Sequence, residues 1–138
     1  MYVVDASIYA SVIVKDQFSQ KSRKFLEENI GSLLTLDLAI VETANALLKH
    51  TFLLKRIPES TSRKLAKSIN PLIENTSKIY PSKNLIGDAL QVAFRYGITV
   101  YDALYLALAF NMNCPLTTLD ESLSKKLRDK VSNIRLLA

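Results

Sequence analysis

The spacing of apolar residues changes period several times along the chain, and each change marks an element. Tyr2-Val3-Val4 is a short β-rich run, followed at once by helix-like spacing through Ile8, Val12 and Ile13. Gln17 to Asn29 is amphipathic at helical spacing, with Phe18, Phe25 and Leu26 inward. Leu33-Leu34-Thr35-Leu36 predicts a second strand and Leu38 to Leu54 a long helix. After Pro58, a residue suited to a first helical turn, another helix is expected to reach about Glu74, bent or split near Pro71. Lys78-Ile79-Tyr80 predicts a short strand, and Leu85 to Tyr96 a helix closed by Gly97. Asp102 is expected to open a helix, Ala103 to Asn111, that is apolar on nearly all sides and therefore buried. Leu116 to Leu119 predicts a strand, Glu121 to Lys130 a helix, and Ile134 to Leu137 a final strand.

Short strands alternating with helices imply an α/β fold, a short central parallel sheet with helices on both faces, helix-rich overall. The chain has 138 residues, room for one core, so residues 1–138 are expected to form a single domain. Apolar residues make up 49% and charged residues 22%, which places the chain among globular proteins. Only 3 Gly and 4 Pro argue against a turn-rich all-β fold.

Counts also narrow the chemistry. The single cysteine, Cys114, forbids an internal disulfide and suits a reducing, cytoplasmic setting. The single histidine, His50, leaves no structural zinc site within one chain, and its place in a predicted helix argues against a Ser-His-Asp triad. No Gly-rich phosphate loop occurs, no basic leader precedes Asp5, and no apolar run approaches a membrane span. Carboxylates, hydroxyls and a net charge of +5 remain to carry the chemistry.

In an open α/β sheet, ligands bind beyond the carboxyl ends of the strands. Asp5, Asp37 and Asp120 follow predicted strands, and Asp102 follows Ile98-Thr99-Val100. Aspartate at such a junction is also a preferred N-cap, so position alone leaves both roles open. Asp37 is expected only to cap, and Thr118 with Glu121 has the spacing of a capping box. Glu42 lies inside a predicted helix. Ile40, Ala44, Leu47 and Leu48 would form its apolar stripe, with Glu42, Asn45, Lys49 and Arg56 roughly opposite. That face is either plainly solvated or holds a metal site beside a path for phosphates. Clustered carboxylates suit a hard cation, since Mg²⁺ takes oxygen ligands and keeps several waters. In a chain almost without histidine, such a cation is the available route to phosphodiester hydrolysis.

Four segments in order, Val3-Val4-Asp5-Ala6-Ser7, Glu42 to Leu47, Tyr96 to Ala107 and Leu116 to Asp120, together resemble the PIN-domain ribonucleases. The likeness is greatest to the small VapC-like toxins of toxin–antitoxin pairs, and Tyr-Asp-Ala-Leu-Tyr-Leu-Ala is its most specific piece. The resemblance implies a three-layer α/β/α sandwich and an endoribonuclease dependent on Mg²⁺ or Mn²⁺. Asp5 and Asp102 would ligate the ion directly, and Glu42 and Asp120 would hold coordinating water or a second ion. Ser7 and Thr118 would orient these acids, with Asn45 in support. The implied partners are RNA, a protein antitoxin and a second copy of the chain. The alternatives are a housekeeping RNA-processing nuclease and a non-catalytic RNA- or protein-binding module on the same fold. A phosphoacceptor domain also clusters acids on an α/β sheet, but no lysine follows a late strand where it would need one.

Overall fold

The computed structural model describes residues 1–138. Five strands form one parallel sheet: β1 (Tyr2–Val4), β2 (Leu33–Leu36), β3 (Lys78–Tyr80), β4 (Leu116–Thr118) and β5 (Ile134–Leu136), in the order β3-β2-β1-β4-β5. The register pairs Val3 with Leu34 on one side and with Leu116 on the other. Val3, Val4, Leu33, Leu34, Leu36 and Leu116 are all buried. Such runs lack alternation because helices cover both faces of a parallel sheet.

The helices are α1 (Ala6–Val14), α2 (Ser19–Glu28), α3 (Leu38–Leu48), α4 (Glu59–Ala66), α5 (Ile69–Thr76), α6 (Ile86–Tyr96), α7 (Val100–Met112) and α8 (Glu121–Leu127). Strand order steps outward from β1 to β3, then returns to β4 beside β1. With right-handed crossovers, α1 to α5 fall on one face of the sheet and α6 to α8 on the other. The packing of α1 against α3, and of α6 against α7, agrees. This is the expected three-layer sandwich. The two connections leaving β1 and β4 diverge to opposite faces, so a crevice opens between their carboxyl ends. No helix is long and apolar enough to cross a membrane.

Several local expectations are corrected or sharpened. The helix from Leu38 is regular only to Leu48 and continues as a π turn, Lys49–Leu53. Its buried stripe is Ala39, Thr43, Leu47 and Thr51, at strict i, i+4 spacing, and Leu48 is exposed. The helix after Pro58 breaks at Lys67–Ser68, between α4 and α5. Pro71 sits in the first turn of α5, where a missing N–H costs no helical hydrogen bond. Helix α7 starts at Val100, and its N-cap is Thr99, whose hydroxyl accepts from the Asp102 N–H. Asp102 therefore lies within the first turn of the helix. The capping box fails because Asp120, and not Thr118, caps α8 by accepting from the Leu123 N–H.

Candidate active site

The crevice between β1 and β4 is built around Asp5. Its N–H still pairs with the Thr117 carbonyl, which fixes the backbone at the end of the strand ladder. Its side chain caps α1 by accepting from the Ser7 N–H at 3.1 Å and from the Ser7 hydroxyl at 2.5 Å. Ser7 Oγ in turn accepts from the Leu119 N–H at 2.9 Å and lies 3.4 Å from Thr118 Oγ1. Thr118 Oγ1 accepts from the Asp120 N–H at 3.0 Å. One chain of hydroxyls thus stitches the β1–α1 junction to the β4–α8 junction. It ties the start of α1 to the end of β4.

Capping does not account for the state of Asp5. The residue is 7% exposed. Burial pushes its carboxyl up to about 7, against the pull of the Ser7 and Thr118 hydroxyls, and the charge of Asp102 pushes the same way. Burial also raises Asp102, and the charge of Asp120 adds to it; Thr99 and Lys126 oppose weakly. Glu42 is raised by burial and by Asp102, against a hydrogen bond from Tyr105. Asp102 thus lies within the electrostatic reach of the other three acids.

None of the four forms an ion pair. The chain's two ion pairs, Lys24–Glu28 and Arg63–Glu59, are elsewhere and on the surface. A buried carboxylate without a cation is costly. A donor set made of oxygens alone, with excess negative charge and no ion pair, fits a hard divalent cation. No three His, Cys, Asp or Glu side chains converge into a ready-made cage. Mg²⁺ needs only one or two direct carboxylates when it keeps its waters, so the arrangement still suits it.

Glu42 occupies a flank of α3, half-buried, and neither the open face nor the core stripe. Its Oε1 accepts from the Tyr105 hydroxyl at 2.7 Å. Tyr105 was absent from the expected site because α7 reads as uniformly apolar. The available signal was its position three residues after Asp102, one helical turn along the same face. Burial and the neighbouring Glu42 push the phenol well above its ordinary range, so it stays a neutral donor. Tyr105→Phe should keep the fold, cost about 1 kcal/mol for the lost bond, and weaken Mn²⁺ binding measured by calorimetry. An unchanged Mn²⁺ isotherm would remove Tyr105 from the site.

Asn45 joins none of these hydrogen bonds and lies beside Glu42 in an open cleft. Arg56, expected on the face with Glu42, is used structurally. Its Nε donates to His50 Nδ1 at 3.0 Å and its guanidinium reaches the Val14 carbonyl, tying the π turn to α1. Asp37 does more than cap. Its Oδ1 accepts from the Leu38 N–H, the Ser82 N–H and the Ser82 hydroxyl, fastening β2 to the turn after β3. Its slight burial acts upward, but these bonds outweigh it and hold the carboxyl below its usual range, opposite to Asp5, Glu42 and Asp102.

The PIN domain family pattern matches residues 2–128. Ribonuclease VapC3 of Pyrobaculum aerophilum is 34% identical over 126 residues, covering 90% of this chain and 92% of the relative. The crystal structure of PAE2754 from Pyrobaculum aerophilum is similar at 28% identity and TM-score 0.67, covering 91% of this chain and 84% of that one. The fold is shared with VapC20 of Mycobacterium tuberculosis, a sarcin-ricin loop cleaving toxin, at 14% identity and TM-score 0.69, over 91% of this chain and 94% of that one. A toxin–antitoxin complex from Klebsiella pneumoniae also shares it, at 13% identity and TM-score 0.68, over 100% and 98% of the two chains. With the pattern spanning nearly all of the chain and the acids gathered at the β1–β4 crevice, this protein belongs to the PIN-domain family.

Proposed function

We propose that the protein is a divalent-metal-dependent endoribonuclease, the toxin of a toxin–antitoxin pair, hydrolysing phosphodiester bonds in RNA. The observation that carries this reading is the group Asp5, Glu42, Asp102 and Asp120, three of them with raised pKa and none in an ion pair. It occurs in a chain 34% identical to a ribonuclease. Asp5 and Asp102 are assigned as the residues that hold Mg²⁺ or Mn²⁺ directly, with Glu42 and Asp120 acting through water. A bound ion of this kind stabilises phosphate charge and makes hydroxide available near neutral pH. Ser7 orients the Asp5 carboxylate, and Thr118 holds the backbone of Asp120. Tyr105 occupies Oε1 of Glu42 and leaves Oε2 free to accept a proton.

The proposed partners follow from surfaces that one copy leaves uncovered. On α6, Ile86, Leu90 and Phe94 are exposed at i, i+4 and i+8, Phe94 by 84%. This stripe is assigned to a second copy of the chain. Between α3 and α4 an open pocket of about 270 Å³ is lined by Leu47, Leu48, Phe52 and Ile69, and is assigned to a protein antitoxin. The buried Cys114, with no disulfide, is compatible with the cytoplasm. Purified protein should cut single-stranded RNA with Mg²⁺ or Mn²⁺ and lose at least about a hundredfold in rate with excess chelator. Undiminished cutting in chelator would reject the metal mechanism.

A further inference from the structure

An open cleft of about 600 Å³ runs directly beside the acids. Its walls include Leu38, Val41, Glu42, Asn45, Lys49 and Tyr101. It shares Glu42 with the acid cluster, and Tyr101 precedes Asp102 in the chain. Tyr101 is 55% exposed. It is neither paired with another ring nor covered by a cation. Lys49 makes no ion pair. The cleft therefore combines a bare aromatic face, a neutral amide with both donor and acceptor, and a free ammonium, all bordering a catalytic carboxylate.

We infer that this cleft binds one unpaired nucleotide of the RNA, adjacent to the phosphate that is cut. Its base would stack on Tyr101, its edge would meet the Asn45 amide, and its phosphate would meet Lys49. The inference rests on the ribonuclease reading above and adds to it a subsite for a single base. Single-stranded nucleic acid is held by this combination, because every base has a stacking face and every linkage a negative charge. The cleft is also of ordinary ligand size. A protein segment is the competing occupant. The unpaired amide and ammonium disfavour it here, since burying them under an apolar helix would leave them without partners. The more exposed Phe94 offers no comparable site, because it stands on α6 in the apolar stripe with Ile86 and Leu90.

The test compares the parent with Tyr101→Ala, Tyr101→Phe and Lys49→Ala. Affinity for a labelled single-stranded RNA is read by fluorescence anisotropy with chelator, and KM and kcat are read with Mn²⁺. Tyr101→Ala should weaken affinity and raise KM roughly 10–100-fold, while Tyr101→Phe stays near the parent. RNA made abasic at one position beside the cut should lose a similar factor, and Tyr101→Ala should add no further loss on that RNA. Lys49→Ala should reduce the slope of log affinity against log salt by about 0.7. Unchanged affinity and KM in Tyr101→Ala overturn the subsite while the ribonuclease reading stands. So does a Tyr101→Ala protein that loses self-association in light scattering yet binds RNA normally, which assigns the cleft to protein. A parent that neither binds nor cuts RNA rejects both readings.

Discussion

Asp102→Asn should lower RNA cleavage by roughly a thousandfold or more without lowering the stability of the fold. Two opposing effects decide the stability half of this expectation. An acid in the first turn of a helix is favoured by the helix dipole, by about 0.3–1 kcal/mol. Burial and the charge of Asp120 oppose it, and the carboxyl of Asp102 is raised, so the opposing effects win. Neutralising it relieves repulsion, and Asn has nearly the same volume. The backbone should not move, because Ala103 to Ala109 are buried on all sides and immobilise α7. Asp37→Asn is the matched control. That carboxylate lies at the end of β2, takes part in hydrogen bonds from Leu38 and Ser82, and is held below its usual pKa range. Its loss should cost on the order of 1 kcal/mol and leave the cleavage rate within about threefold. The pair is read by initial rates with Mn²⁺ and by thermal melting with chelator. Equal loss of activity in the two variants would show that the site has been placed wrongly.

The fold was legible because its signals are local. The β2 and β3 runs need only a few adjacent apolar or β-branched residues, and Gly97 announces the end of α6 through its left-handed φ of +66°. The alternation then implied a parallel sheet, and crossover handedness did the rest. The acids at strand ends were legible for the same reason, since Asp5 and Asp120 each follow a strand directly. What failed was phase. In α3 the buried stripe contains Thr43 and Thr51, and Thr51 satisfies its hydroxyl on the Leu47 carbonyl at 2.8 Å. Hydropathy alone favours Leu48 and Ala44 over threonines, so the stripe was rotated and Glu42 was placed on an open face. Long-range hydrogen bonds left no trace in any window. The Tyr105–Glu42 bond spans 63 positions and the Ser7–Leu119 bond 112. Arg56 shows the same limit, since helical spacing put it on the face with Glu42 while its backbone partner Val14 lies on α1, 42 positions away.

Asp5→Asn should melt higher than the parent without metal above neutral pH, and the advantage should vanish below about pH 4. The carboxyl of Asp5 is raised from 3.8 to about 7 in the folded protein. Between those values the folded state keeps a proton that the unfolded chain has already released. Raising the pH through that window therefore favours unfolding, and above about pH 7 the full penalty applies. Each pKa unit is worth about 1.4 kcal/mol, so the penalty is on the order of 4 kcal/mol. For a domain of this size that corresponds to a difference of the order of ten degrees in Tm. Asparagine removes the charge and keeps the cap, because its Oδ1 can still accept from the Ser7 N–H and hydroxyl. The metal response should run the other way. Saturating Mn²⁺ stabilises the folded parent by mass action, by about 2.7 kcal/mol at a hundred times its Kd, and Asp5→Asn should gain much less. The measurement is thermal melting of both proteins from pH 4 to pH 8 at fixed ionic strength, with chelator and with a Mn²⁺ series. A cap and a ligand differ in sign here. If Asp5 serves only α1, its asparagine variant melts no higher without metal at any pH and keeps the parent's full Mn²⁺ shift. If it holds the ion, the gain without metal and the lost Mn²⁺ shift appear together.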